Sequence, residues 1–307
     1  MNNFFMNELI QMVKNIFSLS ATILLLILGV VFSGCGDSTG TDGSGQYTKT
    51  EGEGSLMIIG GGSRPVELIQ RMITESGLDH AGYAIVLTMS AANPDTSGYY
   101  GEVQFREQGV TNVRSYDLGR RDIATENALD SLQNANLVYI TGGSQSRFMR
   151  SVEEFPEIGT ALINAYKSGA MISGTSAGAS VMSKIMITGD QQNYPDYTAT
   201  FYHLEKNNII TEEGLGLIEG VIVDQHFLKR ARNNRLLTAV MEYPNHIGIG
   251  VDEATAVLIK NGGAEVVGDA QVIVYQNLSG ESKVHNGRLG ANNIRVDIYL
   301  PGDLFEL

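Results

Sequence analysis

The 307-residue chain has a single cysteine, Cys35, which excludes an internal disulfide and any metal cluster built on cysteine. Prolines are also few, 6 against 36 glycines, a balance suited to tight turns where φ > 0 is needed. Basic side chains are in the minority: 21 Lys and Arg face 34 Asp and Glu, for a formal net charge of −13. That charge argues against nucleic acid or another polyanion as the main partner, and it permits a cationic substrate. With 43% hydrophobic and 18% charged residues, the composition is globular and not disordered.

The lone cysteine has an informative neighbourhood. Residues 16–32 (IFSLSATILLLILGVVF) are apolar and uncharged, with Lys14 upstream and Ser33-Gly34 directly before Cys35. This arrangement resembles a bacterial lipoprotein signal, with Phe32 where that motif usually carries Leu. Met12-Val13-Lys14 makes a more typical start for such a signal than Met1 does. Cleavage before Cys35 would leave a cysteine carrying several acyl chains, which anchor stably where one chain would not. The alternative is an uncleaved transmembrane helix, for which 17 apolar residues are at the short end. Residues 36–54 have almost no apolar side chain and cannot bury a core. The chain therefore divides into a signal peptide over 1–34, a flexible tether over 35–54 and one folded domain over 55–307. The expected location is the extracytoplasmic side of a bacterial envelope membrane, held by the lipid on Cys35.

Within the folded part, strand-like and helix-like runs alternate. Residues 56–59, 84–87, 137–140 and 170–172 are short apolar runs of the kind buried on both faces of a parallel sheet. Helical patterns separate them, over 66–76 behind Pro65 and over 158–166. This predicts a doubly wound α/β domain with a mainly parallel sheet. Residues 221–223 and 247–251 are expected to extend that sheet. After Glu253, closely spaced strands at 256–259, 272–275 and 294–299 read as an antiparallel addition. Gly60-Gly61-Gly62 follows the first strand, but contiguous glycines do not meet the dinucleotide-binding spacing.

Gly174-Thr175-Ser176-Ala177-Gly178 follows the strand at 170–172 and precedes a helix-capable run at 179–182. A G-x-S-x-G sequence between strand and helix is the nucleophile elbow: a sharp turn that exposes the serine hydroxyl at a helix N-terminus. The Ala177 amide is then a natural donor to an oxyanion. The bland alternative is a small-residue packing turn. A nucleophilic serine needs a base, and five histidines are available. His226 follows the strand at 221–223, at the carboxyl edge where active-site residues collect in open α/β sheets. His246 precedes its strand and would sit at the opposite edge. An order of Ser176, Asp224 and His246 would fit the α/β-hydrolase class but places His246 wrongly. Asp252-Glu253 ends the strand at 247–251 and offers the orienting acid.

These residues carry a resemblance. From about Ser55 onward the chain is similar to the cyanophycinase family of serine peptidases, in the group that includes dipeptidase E. That group shares a class I glutamine amidotransferase-like fold. The matching segments are 60–62 (GGG), 141–145 (TGGSQ), 174–179 (GTSAGA), 224–227 (DQHF), 248–256 (GIGVDEATA) and 301–303 (PGD). Arg230, Arg232 and Arg235 follow His226 at the family's spacing; a solvated helix face is the plain alternative. Ser144 departs from the Asn often found there.

The resemblance implies hydrolysis of β-aspartyl peptide bonds and release of β-Asp-Arg dipeptides from cyanophycin. Ser176 would be the nucleophile, His226 the base and Glu253 the orienting acid, with Asp252 the less favoured choice. Gly143 and Ala177 would supply the oxyanion hole. Gln145, Asp224, Gln225, Arg230, Arg232 and Arg235 would hold the substrate. No cofactor or metal is called for, and a homodimer is implied. The competing readings are an extracytoplasmic α-aspartyl or isoaspartyl dipeptidase and a catalytically silent binding lipoprotein of the same fold.

Overall fold

The computed structural model describes residues 54–307; the expected signal peptide, Cys35 and almost all of the expected tether lie outside the described residues. The first half alternates strongly. β1 (Ser55–Ile59), α1 (Val66–Ser76), β2 (Ala84–Leu87), α2 (Pro94–Arg106) and β3 (Val113–Tyr116) come first. α3 (Glu126–Gln133), β4 (Leu137–Ile140), α4 (Gln145–Glu154), α5 (Pro156–Lys167), β5 (Met171–Thr175) and the single turn α6 (Ala177–Ser180) follow. A hairpin, β6 (Ile185–Gln191) and β7 (Ile209–Glu213), leads to β8 (Val221–Gln225), α7 (Asn233–Glu242) and β9 (Ile247–Val251). The remainder is strand: β10 (Thr255–Lys260), β11 (Gly263–Gly268), β12 (Val272–Asn277), β13 (Lys283–His285), β14 (Arg288–Gly290), β15 (Ile294–Tyr299) and β16 (Leu304–Glu306).

Local chemistry sets these elements. α1 buries Leu68, Ile69, Met72 and Ile73 along one face and stops at Gly77, whose φ of 75° is a left-handed cap. Thr125 caps α3 by accepting from the Ala128 amide at 3.3 Å. Strands β1, β2, β4 and β5 have no exposed residue, as the continuous apolar runs require.

The main sheet has the order β16-β11-β10-β1-β5-β4-β2-β3. Its last five strands are mutually parallel, and β10, β11 and β16 are added antiparallel. Alternation along β1 splits the core: Met57 and Ile59 face Leu68, Met72 and Phe105 of α1 and α2. Leu56 and Ile58 face the opposite layer, which holds Leu132 of α3 and Ile158 and Leu162 of α5. Full burial of a side chain of this size contributes about 1.5–3 kcal/mol.

One expectation is corrected. β8 and β9 do not extend the main sheet; they form a second sheet of order β15-β12-β9-β8. The edge of β1 that they would need is occupied by β10, which pairs with it over four residues. The second sheet packs its Val221, Val223, Ile249, Val251, Val272 and Val274 into the layer behind Leu56 and Ile58. Its other face takes α7, and the glycines of β9 make this possible. A methyl on Gly248 would stand 2.7 Å from Val240, and one on Gly250 would stand 2.5 Å from the Phe227 ring.

Candidate active site

The parallel strands of the main sheet end on one edge, and their last residues lead into the loops that build the site. β5 ends at Thr175, and Ser176 follows in a strained conformation, φ 53° and ψ −112°. The elbow is held by backbone: the Ser176 amide donates to the Ile59 carbonyl at 3.0 Å. The two flanking glycines are required for space. A methyl on Gly174 would lie 2.2 Å from the Gly178 carbonyl oxygen, and one on Gly178 would lie 2.3 Å from that of Ile140.

The second sheet brings the expected base and acid. His226 follows β8 and Glu253 follows β9, two parallel neighbours that end side by side. Ser176 Oγ lies 2.8 Å from His226 Nε2, and His226 Nδ1 lies 2.6 Å from Glu253 Oε1. A carboxylate on Nδ1 fixes the tautomer with the proton there and leaves Nε2 free to accept the serine proton. The chain order is Ser, His, Glu. Asp252 does not reach the imidazole; its Oδ1 accepts from the Lys229 amide at 3.0 Å. The alternative base is far from this role: His246 Nδ1 is buried without a partner, and Asp224 is paired elsewhere.

Burial lowers the His226 pKa below its ordinary value, against the raising effect of the hydrogen bond to Glu253; Arg230 and Arg232 push it further down. A depressed pKa keeps the ring neutral, and able to accept a proton, to lower pH than an ordinary histidine.

Residues 60–62 lack the dinucleotide-binding spacing but carry part of the family resemblance, and the structure gives them a task. They run beneath the imidazole and the carboxylate. A methyl on Gly61 would stand 2.4 Å from the His226 ring, and one on Gly62 would stand 2.8 Å from the Glu253 Cβ. Their carbonyls also tie the two sheets together: His226 N donates to Gly60 O at 2.7 Å and Ala254 N to Gly61 O at 3.0 Å.

The turn after β4 faces Ser176 from the other side. A methyl on Gly142 would come 3.4 Å from the Ser176 Cβ. Gly143 has a φ of 145° and packs against Ser90, whose carbonyl accepts from Ser144 N at 2.8 Å and from Arg147 Nη1 at 2.9 Å. Neither the Gly143 nor the Ala177 amide donates to a backbone carbonyl, so both are available to a developing oxyanion. Ser144 in place of Asn caps α4, accepting from the Arg147 amide at 3.3 Å.

The expected substrate-binding residues gather beside the triad, but most of their polar atoms face one another. Gln145 Nε2 donates to Ile187 O at 2.9 Å and Thr188 O at 2.7 Å, pinning β6 and leaving Oε1 as its remaining polar atom. Asp224, 1% exposed, takes Arg235 on both oxygens, through Nε at 2.8 Å and through Nη2. Arg232 Nη1 holds Gln225 through its carbonyl at 2.6 Å and its side-chain oxygen at 2.7 Å. Burial, with Arg235 alongside, lowers the Arg232 pKa to about 10. These arginines are therefore not a solvated helix face. Nor do Asp224, Arg232 and Arg235 present free charges as expected: breaking such a buried pair would cost roughly 3–5 kcal/mol, so they are first a scaffold. Arg230 is the half-exposed member of the series.

The sequence profile of peptidase family S51 matches residues 91–267, a span that holds Ser176, His226 and Glu253. A cyanophycinase from Nostoc sp. is 30% identical over 272 residues, covering 85% of this chain and 87% of that protein. One from Synechococcus elongatus is 29% identical over 267 residues, covering 83% and 80%. In fold, the chain is similar to a solved peptidase from an acI-B1 actinobacterium, with a TM-score of 0.61 at 20% identity over 86% of this chain and 99% of that one. The chain thus belongs to peptidase family S51 and is a serine-type peptidase.

Proposed function

We propose that this peptidase cleaves β-aspartyl peptide bonds and releases β-Asp-Arg dipeptides from a cyanophycin-like polymer. The observation that carries the reading is the likeness to cyanophycinases over 85% of the chain, with Arg230 and Arg232 near enough to His226 to act on its charge. In this mechanism Ser176 Oγ attacks the β-linked carbonyl while His226 Nε2 takes its proton. Glu253 stabilises the imidazolium. The amides of Gly143 and Ala177 receive the oxyanion. His226 then returns the proton to the leaving amine, and water releases the acyl group by the same steps in reverse order. Arg230 carries the charge left for a substrate α-carboxylate, which a planar guanidinium meets with two parallel hydrogen bonds. Arg232 and Arg235 act through Gln225 and Asp224, whose positions they fix; Gln145 offers Oε1.

Mass spectrometry of products from purified cyanophycin should show β-Asp-Arg dipeptides. Arg230→Lys keeps the charge and loses the fork, so kcat/KM on β-Asp-Arg substrates should fall by about tenfold. A small neutral ester should be hydrolysed almost as before. Equal losses on both substrates would assign Arg230 to the scaffold, and turnover of α-aspartyl dipeptides alone would overturn the β-linked reading.

We also propose that the enzyme works as a lipoprotein, anchored through Cys35 on the extracytoplasmic side of a bacterial envelope membrane. The apolar run at 16–32, the small residues before Cys35 and the polar tether support this. Labelled palmitate should enter the wild-type protein and not Cys35→Ala; incorporation into the variant would refute the anchor.

A further inference from the structure

The loop between β6 and β7 is fastened at both ends and loose in its middle. At its base Gln192 N donates to Asn208 O at 2.8 Å, and Asn193 N to Asn208 Oδ1 at 3.1 Å. The Tyr194 and His203 rings stack with centroids 3.8 Å apart, and the Tyr194 hydroxyl donates to Glu205 at 3.2 Å. Phe201 is buried with Ile222 and Phe227, and its carbonyl accepts from Asn234 Nδ2 at 3.0 Å. Among the described residues, no backbone–backbone hydrogen bond holds 195–200. Tyr197 stands on that stretch and is 61% exposed.

Its hydroxyl is nevertheless tied to the site, because Arg232 Nη2 donates to it at 3.4 Å. The rest of that guanidinium is engaged or shut in: Nη1 serves Gln225, and Nε is buried without a partner. A guanidinium can only donate, so the tyrosine oxygen is the acceptor and keeps its own proton to give. Among the described residues that proton has no acceptor. A hydroxyl that accepts from a cation is polarised into a stronger donor. With Arg230 and Arg232 both near His226, the surroundings are positive, and the acceptor that fits is an anion.

We propose that Tyr197 is a specificity-determining residue, whose hydroxyl donates to a substrate carboxylate while it accepts from Arg232. The group it reads is the α-carboxylate of the residue that leaves, which it shares with Arg230. The buried charge of Arg232 thereby reaches the substrate through an oxygen at the rim, while Arg232 itself stays on Gln225. The unfastened backbone at 195–200 lets the ring follow the carboxylate as substrate enters. This deepens the β-aspartyl reading and rests on it only for the linkage.

The test removes one oxygen. Wild type and Tyr197→Phe are compared on a β-Asp-Arg substrate and on its analogue with the arginine α-carboxylate converted to an amide. Wild type should prefer the carboxylate in kcat/KM. Tyr197→Phe should shrink that preference by about tenfold, because a hydrogen bond to a charged group is lost with only one of the two substrates. The loss should sit in KM, with kcat on the carboxylate substrate within about twofold, since the contact is made equally before and in the transition state. A wild type indifferent to the carboxylate, or a variant with the wild-type preference, would overturn the proposal. So would a fall in kcat that is equal on both substrates, which would show that the hydroxyl only holds Arg232 on Gln225. If wild type cleaves α-aspartyl peptides alone, the β-linked reading fails, and the same comparison on an α-linked pair still decides the role of Tyr197.

Discussion

Ser176→Ala should lower kcat by roughly 10⁶-fold, the scale on which removal of the attacking serine acts when base and oxyanion donors remain. The substitution deletes one oxygen at a half-exposed position and leaves the elbow intact. The turn is set by the hydrogen bond from the Ser176 amide to the Ile59 carbonyl and by the close approach of Gly174 to Gly178, neither of which involves the hydroxyl. The melting temperature should stay within a few degrees of wild type. A serine-directed phosphonate should label the parent and not the variant. Residual turnover within a hundredfold of wild type, in protein free of parent enzyme, would remove Ser176 from the role of nucleophile.

Glu253→Gln is expected to be the next most damaging single change, with kcat reduced roughly 10⁴-fold. The carboxylate is what keeps the proton on His226 Nδ1, at 2.6 Å, and it offsets the positive charge that the ring acquires as it takes the serine proton. A glutamine amide can turn its NH2 toward Nδ1. The ring then carries its proton on Nε2 and can no longer accept one from Ser176. Asp252→Asn should cost less than tenfold, because an amide oxygen still accepts from Lys229 N. Comparing kcat for the two variants, with melting curves to exclude unfolding, decides between adjacent carboxylates. A larger loss at Asp252 would reverse the assignment.

The elements that could be read from sequence were those whose burial is one-sided or complete. Residues 66–76 show a helical apolar stripe, and residues 247–251 alternate glycine with branched apolar side chains; both elements have the expected bounds. Between Leu87 and Leu137 the sequence suggested nothing. There α2 buries two glycines, a glutamine and a phenylalanine in place of an apolar stripe, and β3 has one buried residue in four. Sheet membership was also hidden. β8 and β9 have the composition of central strands whichever sheet they join, and pairing is decided by which edges are already occupied.

For the site, the elbow motif and the strand-end positions of His226 and Glu253 were legible because each sits where a strand stops. The internal pairing of Asp224 with Arg235 was not. An arginine spacing looks the same whether its guanidinium meets a ligand or a buried aspartate. Gly60-Gly61-Gly62 belongs to the family resemblance, but its role was not legible, since nothing in the chain says which distant ring will rest on a bare backbone.

That glycine run has an implication for how the enzyme can change over time. The serine belongs to one sheet and the histidine and acid to the other, so the reactive geometry is a property of how two sheets are stacked. The backbone at 60–62 is the spacer that sets their separation at the reacting end, and it has no side chain to trim or enlarge. Sequence drift can therefore remodel the strands, the hairpin and the outer loops, but it has no gradual path through these three positions. New substrate preferences in this scaffold must be gained at the rim, around a centre whose dimensions are fixed by bare backbone.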